Sequence, residues 1–105
     1  MTINELKNGD IVLQRAGHLA MIVEKDGEKY MVYPDCGHEE IASCYRDDLT
    51  DFDEGPDFDI MQVYRAESGM ISFLEYYEGT LIFERDQNWV RPNPFINSQL
   101  ELTTL

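Results

Sequence analysis

The apolar positions of this chain fall in short runs separated by turn residues, a pattern of β-strands rather than long helices. Residues 10–15 (DIVLQR), 18–24 (HLAMIVE) and 29–33 (KYMVY) are β-type runs. Ala16-Gly17 reads as the first turn between them, Lys25-Asp26-Gly27-Glu28 is a strong hairpin signal, and Pro34 halts the third run. Three short strands joined by tight turns predict a meander, the start of a small barrel or a curled sheet. Ahead of it, Thr2-Ile3-Asn4-Glu5 has the spacing of a capping box, and Asn8-Gly9 leaves room for about one helical turn.

The middle of the chain changes character. Residues 35–37 turn the chain, 39–42 form a short strand, and Ser43 caps a brief helical turn through Tyr45 and Arg46. Residues 47–59 (DDLTDFDEGPDFD) carry seven acids and no base, and Gly55-Pro56 breaks them, so the segment reads as a loop. Residues 60–65 (IMQVYR) alternate as a strand. Ser68 then precedes Met70, Phe73, Leu74 and Tyr77 at helical spacing, with Gly79 beyond as a stop. Residues 80–84 (TLIFE) return to β character, and Pro92 and Pro94 make residues 86–105 an irregular segment with one late strand at most. The expected fold is a single mainly β (α+β) domain over residues 1–105, a small barrel or curled antiparallel sheet with one short helix and an acidic loop.

Charge narrows the function. Twenty-one acids against eight bases leave a net charge of −13, a field that repels nucleic acids and anionic membranes and attracts basic surfaces. Direct nucleic-acid binding is disfavoured, since phosphate affinity comes from Lys and Arg. The expected partner is a protein with a basic surface, above all one that itself handles nucleic acid. The run Thr2-Ile3-Asn4-Glu5 after Met1 resembles no leader peptide, and the aliphatic stretch of residues 19–23 is far short of a membrane span. Two cysteines without such a leader read as reduced thiols, so a cytoplasmic location is expected, with no cofactor and no membrane.

The acidic loop is the foremost candidate site. As a bland feature it is a solvated surface that keeps the protein soluble. Read functionally, it is a partner-binding face: Asp47, Asp48, Asp51, Asp53, Glu54, Asp57 and Asp59 supply charge, and Phe52 and Phe58 supply anchors. Alternate residues of an extended chain lie about 6.5 Å apart on one side. Asp51/Asp53 and Asp57/Asp59 would then present carboxylates in rows, a phosphate mimic suited to a phosphate-binding channel. A calcium loop fits poorly, because Gly55 stands where a third ligand belongs in Asp51-Phe52-Asp53-Glu54-Gly55.

Other chemistry-bearing residues are His18, Cys36, His38 and Cys44. Their spacing matches no common zinc pattern, so no metal is expected. Residues 7–13 (KNGDIVL) and 17–23 (GHLAMIV) resemble the strand pair of circularly permuted papain-like hydrolases. That resemblance implies His18 as general base and a later Cys as nucleophile. Such a Cys belongs at the start of a substantial helix, where its pKa falls. Cys44 has at best one helical turn after it, and Glu39, Glu40, Asp47 and Asp48 crowd it. Catalysis is therefore not expected. Tyr30, Tyr33, Tyr64, Tyr76 and Tyr77 read as packing residues, and Trp89, flanked by Arg85 and Arg91, is either a core plug or an exposed anchor.

Several segments together resemble small phage and prophage proteins of gut Firmicutes: residues 3–12 (INELKNGDIV), 47–50 (DDLT), 58–65 (FDIMQVYR) and 81–85 (LIFER). The resemblance covers under a third of the chain and implies a small Src-homology-3-like barrel with an elaborating helix or loop. Length, acidity and these segments are also similar to anti-CRISPR proteins that inhibit the type II RNA-guided nuclease. The implied function is an inhibitor that binds the basic nucleic-acid channel of the nuclease–guide RNA complex and blocks DNA binding or cleavage. The rival readings are a non-inhibitory phage accessory protein that self-associates, and the thiol hydrolase.

Overall fold

The computed structural model describes residues 1–34, 37–66, 73, 79–86 and 88. Six antiparallel strands form one open sheet: β1 (Ile11–Gln14), β2 (Leu19–Lys25), β3 (Glu28–Val32), β4 (His38–Glu40), β5 (Ile60–Arg65) and β6 (Thr80–Glu84), in the order β4-β3-β2-β1-β5-β6. The mainly β expectation holds, in its curled-sheet form. Among the described residues β4 and β6 are the two edges and do not pair with each other. No helix there is long and apolar enough to cross a membrane. The helix expected from Met70 to Tyr77 falls, but for Phe73, outside the described residues, as do Cys36, Trp89 and the rest of the C-terminal segment after Asn88.

Turn chemistry sets the meander. Asp26 and Gly27 both have positive φ, 54° and 81°, the paired left-handed conformation that a tight two-residue hairpin needs between β2 and β3. The β1–β2 turn closes with Gln14 N–H donating to His18 C=O at 2.9 Å. At the N-terminus, residues Ile3–Glu5 make a single 3-10 turn. Its start is held by Glu5 Oε1, which accepts from Thr2 N–H at 3.1 Å, the carboxylate half of the expected capping box.

Strand register decides which side chains share the core face. Val12 stands opposite both Ala20 and Val63, and Ile22 opposite Met31. All five are fully buried. The segment between β4 and β5 crosses this face and contributes Ile41, Cys44, Tyr45 and Leu49 to the same cluster. Its helical turn is a 3-10 turn at Ile41–Ser43, three residues earlier than the cap at Ser43 predicts, because Ile41 is drawn into the core. Tyr30, Tyr33 and Tyr64 are half-buried, as packing residues should be.

Alternation places polar groups on the core face as well. Gln14 follows Val12 by two positions, Tyr33 follows Met31 by two, and Glu39 stands opposite Met31. The core face therefore ends in a polar corner, at the rim where β1, β3 and β4 meet the crossing segment.

Candidate functional site

The acidic loop is a series of turns pinned to the sheet, and its acids divide into two sets. Asp51 and Asp59 are buried, at 2% and 0% exposure. Asp51 Oδ1 accepts from the backbone N–H groups of Asp53 at 2.7 Å and Glu54 at 2.6 Å, so this carboxylate winds the loop around itself. Asp59 Oδ1 accepts from Asp51 N–H at 2.9 Å, and its other oxygen lies 3.9 Å from Arg15 Nη2. Asp48, although exposed, takes two hydrogen bonds from Thr50, through the backbone N–H and the hydroxyl. Desolvation raises its pKa, but the Thr50 bonds, with Arg85 and Arg46 nearby, outweigh that and hold it below the ordinary carboxylate value.

Backbone bonds complete the pinning. Arg15 N–H donates to Asp59 C=O at 2.9 Å, and Ala16 N–H to Asp57 C=O at 2.8 Å. The loop is thus fastened along the β1–β2 turn. Leu49 adopts a positive φ of 70° in the short reversal that pairs Tyr45 with Asp51. A non-glycine residue in that conformation is held by its surroundings, and Leu49 is fully buried.

This corrects two expectations for the site. Asp51 and Asp59 do not belong to an exposed electrostatic face, because both are buried and the Oδ1 of each accepts backbone N–H groups, with Arg15 beside Asp59. The carboxylate rows of an extended strand do not form, because the segment is bends, a 3-10 turn at Pro56–Phe58 and a lone bridge. What faces solvent is Asp47, Asp48, Asp53, Glu54 and Asp57, with Phe52 among them at 49% exposure. Arg46 lies over the Phe52 ring at 5.9 Å from its centroid, which steadies the ring without hiding it. Phe58, the second expected anchor, is half-buried and stacks parallel to His18, ring centroids 6.0 Å apart.

Beside the loop lies a cleft of about 260 Å³ that sequence reasoning did not find. Gln14, Tyr33 and Glu39 line it from the sheet, His18 and His38 from the strand ends, and Glu54 and Phe58 from the loop. Its floor is a hydrogen-bonded chain. Gln14 Nε2 donates to Tyr33 Oη at 3.0 Å and to Tyr45 Oη at 2.8 Å. Tyr33 Oη donates to Glu39 Oε1 at 2.6 Å, Tyr45 Oη to Phe58 C=O at 2.6 Å, and Cys44 Sγ to Glu39 Oε2 at 3.3 Å. The one sequence signal for it was a glutamine at an inward-facing position of β1, two residues after Val12.

The chain explains the state of its members. Burial, then the Glu39 carboxylate, pushes the Cys44 thiol up to about 12. Burial likewise raises both Tyr33 and Tyr45 above the ordinary phenol value. Cys44 ends the 3-10 turn at Ile41–Ser43 instead of beginning a helix, and its thiol is a proton donor to a carboxylate. These are the opposite of the conditions that activate a nucleophilic cysteine. Among the described residues no group of three or more His, Cys, Asp or Glu side chains is arranged to hold a metal ion.

Compared with known proteins, the chain matches no family model, no curated protein and no solved structure at a significant level.

Proposed function

We propose that this protein is a binding module that docks on a basic surface of a nucleic-acid-handling protein. In keeping with its phage-like segments, the proposed target is the type II RNA-guided nuclease in the bacterial cytoplasm. The observation that carries the reading is the pairing of exposed charge with an exposed aromatic on a pinned loop. Asp53, Glu54 and Asp57 stand in solvent around Phe52, while buried Asp51 and Asp59 hold the backbone beneath them. Preordering the loop lowers the entropy lost on docking. The net charge of −13 speeds encounter with a basic channel, and Phe52 supplies apolar contact area once there.

The test is a triple reversal, Asp53→Lys, Glu54→Lys and Asp57→Lys, alongside Phe52→Ala alone. Binding to the nuclease–guide RNA complex and inhibition of DNA cleavage are measured, with circular dichroism as the check on folding. The triple variant should fold and lose inhibition, and Phe52→Ala should weaken binding by about tenfold. A folded triple variant that still inhibits fully refutes the acidic-face mechanism.

A further inference from the structure

One residue lining the cleft beside the acidic loop, Gln14, carries an acceptor with no donor. Gln14 is 1% exposed, and its Oε1 has no hydrogen-bond partner. Rotating the amide does not help. Tyr33 and Tyr45 give their hydroxyl protons to the Glu39 carboxylate and the Phe58 carbonyl, both of which only accept. Each hydroxyl can therefore only accept from Gln14, so the amide must turn its NH2 toward them and leave its oxygen over. Buried polar atoms are almost always satisfied, and an orphaned one on a residue that lines a cleft points to the kind of group the cleft would take.

The missing partner is a donor, and its surroundings specify more. Glu39 and Glu54 border the same cleft and favour a cation. The His18 and Phe58 rings, stacked 7° from parallel, both line the cleft and add aromatic surface to it. A carbonyl oxygen and two carboxylates on residues lining one cleft suit a planar group carrying several N–H donors. A guanidinium meets that description and stacks on aromatic faces, whereas an ammonium is a compact, strongly hydrated point charge.

We propose that this cleft is a receptor for one guanidinium group, presented as an arginine side chain of a protein partner. Gln14 Oε1 and Glu39 accept its N–H groups, Glu54 closes over it from the loop, and the aromatic surface carries its plane. The choice of an arginine-bearing protein rests on the binding function proposed above, while the guanidinium preference stands on the cleft alone.

The experiment separates the two. Ethylguanidinium and ethylammonium are titrated into the intact protein, followed by amide NMR. Ethylguanidinium should shift Gln14, His18, Tyr33 and Glu39 saturably and bind about tenfold tighter than ethylammonium. Glu54→Lys, at an exposed position that leaves the fold alone, should abolish that shift; Gln14→Met should do the same where it folds. Two short basic peptides of equal charge, one built on arginine and one on lysine, complete the set. Preference for the arginine peptide, relieved by ethylguanidinium, supports the proposal. Absence of saturable ethylguanidinium binding overturns it, even if the acidic loop still captures the nuclease. Guanidinium binding with no discrimination between the peptides overturns the arginine assignment in favour of a free guanidinium compound. Arginine preference without nuclease inhibition sustains the cleft and refutes the earlier reading.

Discussion

At the scale of single residues, identical side chains a few positions apart do unlike work. Asp51 and Asp53 both sit in the acidic loop, yet one is 2% exposed and accepts backbone N–H groups while the other stands in solvent. Removing a buried carboxylate that satisfies several donors leaves those donors desolvated and unpaired. Asp51→Ala should therefore cost about 2–3 kcal/mol in urea unfolding. Asp53→Ala should change stability by less than about 0.5 kcal/mol, as surface substitutions do. Equal effects of the two would contradict the division between buried and exposed acids. Composition could not show that division, because the same Asp-x-Asp spacing serves an exposed row and a backbone-capping turn equally well.

Among the elements, the strands were legible and their fastenings were not. Residues 60–65 and 80–84 form strands with the expected bounds, since apolar alternation between turn residues is a local property. Asp10 is different: it reads as the first residue of a strand and proves to be a buried ionic joint. At 1% exposure it receives Arg65 Nε at 2.9 Å and Nη2 at 2.8 Å, a bidentate pair across fifty-five positions. Its Oδ2 also accepts from Lys7 N–H at 2.8 Å, and Arg65 Nη2 reaches Glu5 C=O at 2.9 Å. The pair thus ties the N-terminal turn to the end of β5. The Asp10 hydrogen bond in turn raises the Arg65 pKa above its ordinary value. Arg65→Met should destabilise the fold by about 3 kcal/mol, because a buried carboxylate is left without its cation. Adding Asp10→Asn should recover part of that loss. Thermal unfolding of the single and double variants measures both, and a neutral Arg65→Met would show the joint to be dispensable.

For the whole molecule, the polar corner links stability to alkaline pH. Cys44, Tyr33 and Tyr45 all keep their protons in the fold at pH values where the unfolded chain releases them, since their native pKa values are raised. A group of that kind contributes fully below its unfolded pKa, and the contribution falls as pH rises above it. Stability should therefore be level to about pH 9, the ordinary thiol value, and decline through the phenol range near 10. Urea midpoints taken from pH 7 to about 11 should show that decline. Tyr45→Phe should start lower, since Gln14 loses an acceptor, and should decline less steeply. A flat wild-type profile over that range would show that the corner does not bury its protons.

Local pattern alone was sufficient for the β class, the meander and its hairpin turn, the loop at residues 47–59 and the net acidity. Those features depend on neighbours in the chain: two-residue alternation, glycine at a left-handed position, and a simple sum of charges. Register and packing decided the rest. Whether an aspartate faces water or a backbone N–H depends on what crosses it, as Arg15 and Asp51 N–H do for Asp59. The cleft depends on three strands and one loop bringing Gln14, Tyr33, Glu39, Tyr45 and Phe58 together, residues spread over forty-four positions. No spacing rule connects them, because their contacts follow from strand order and from the path of the crossing segment over the sheet.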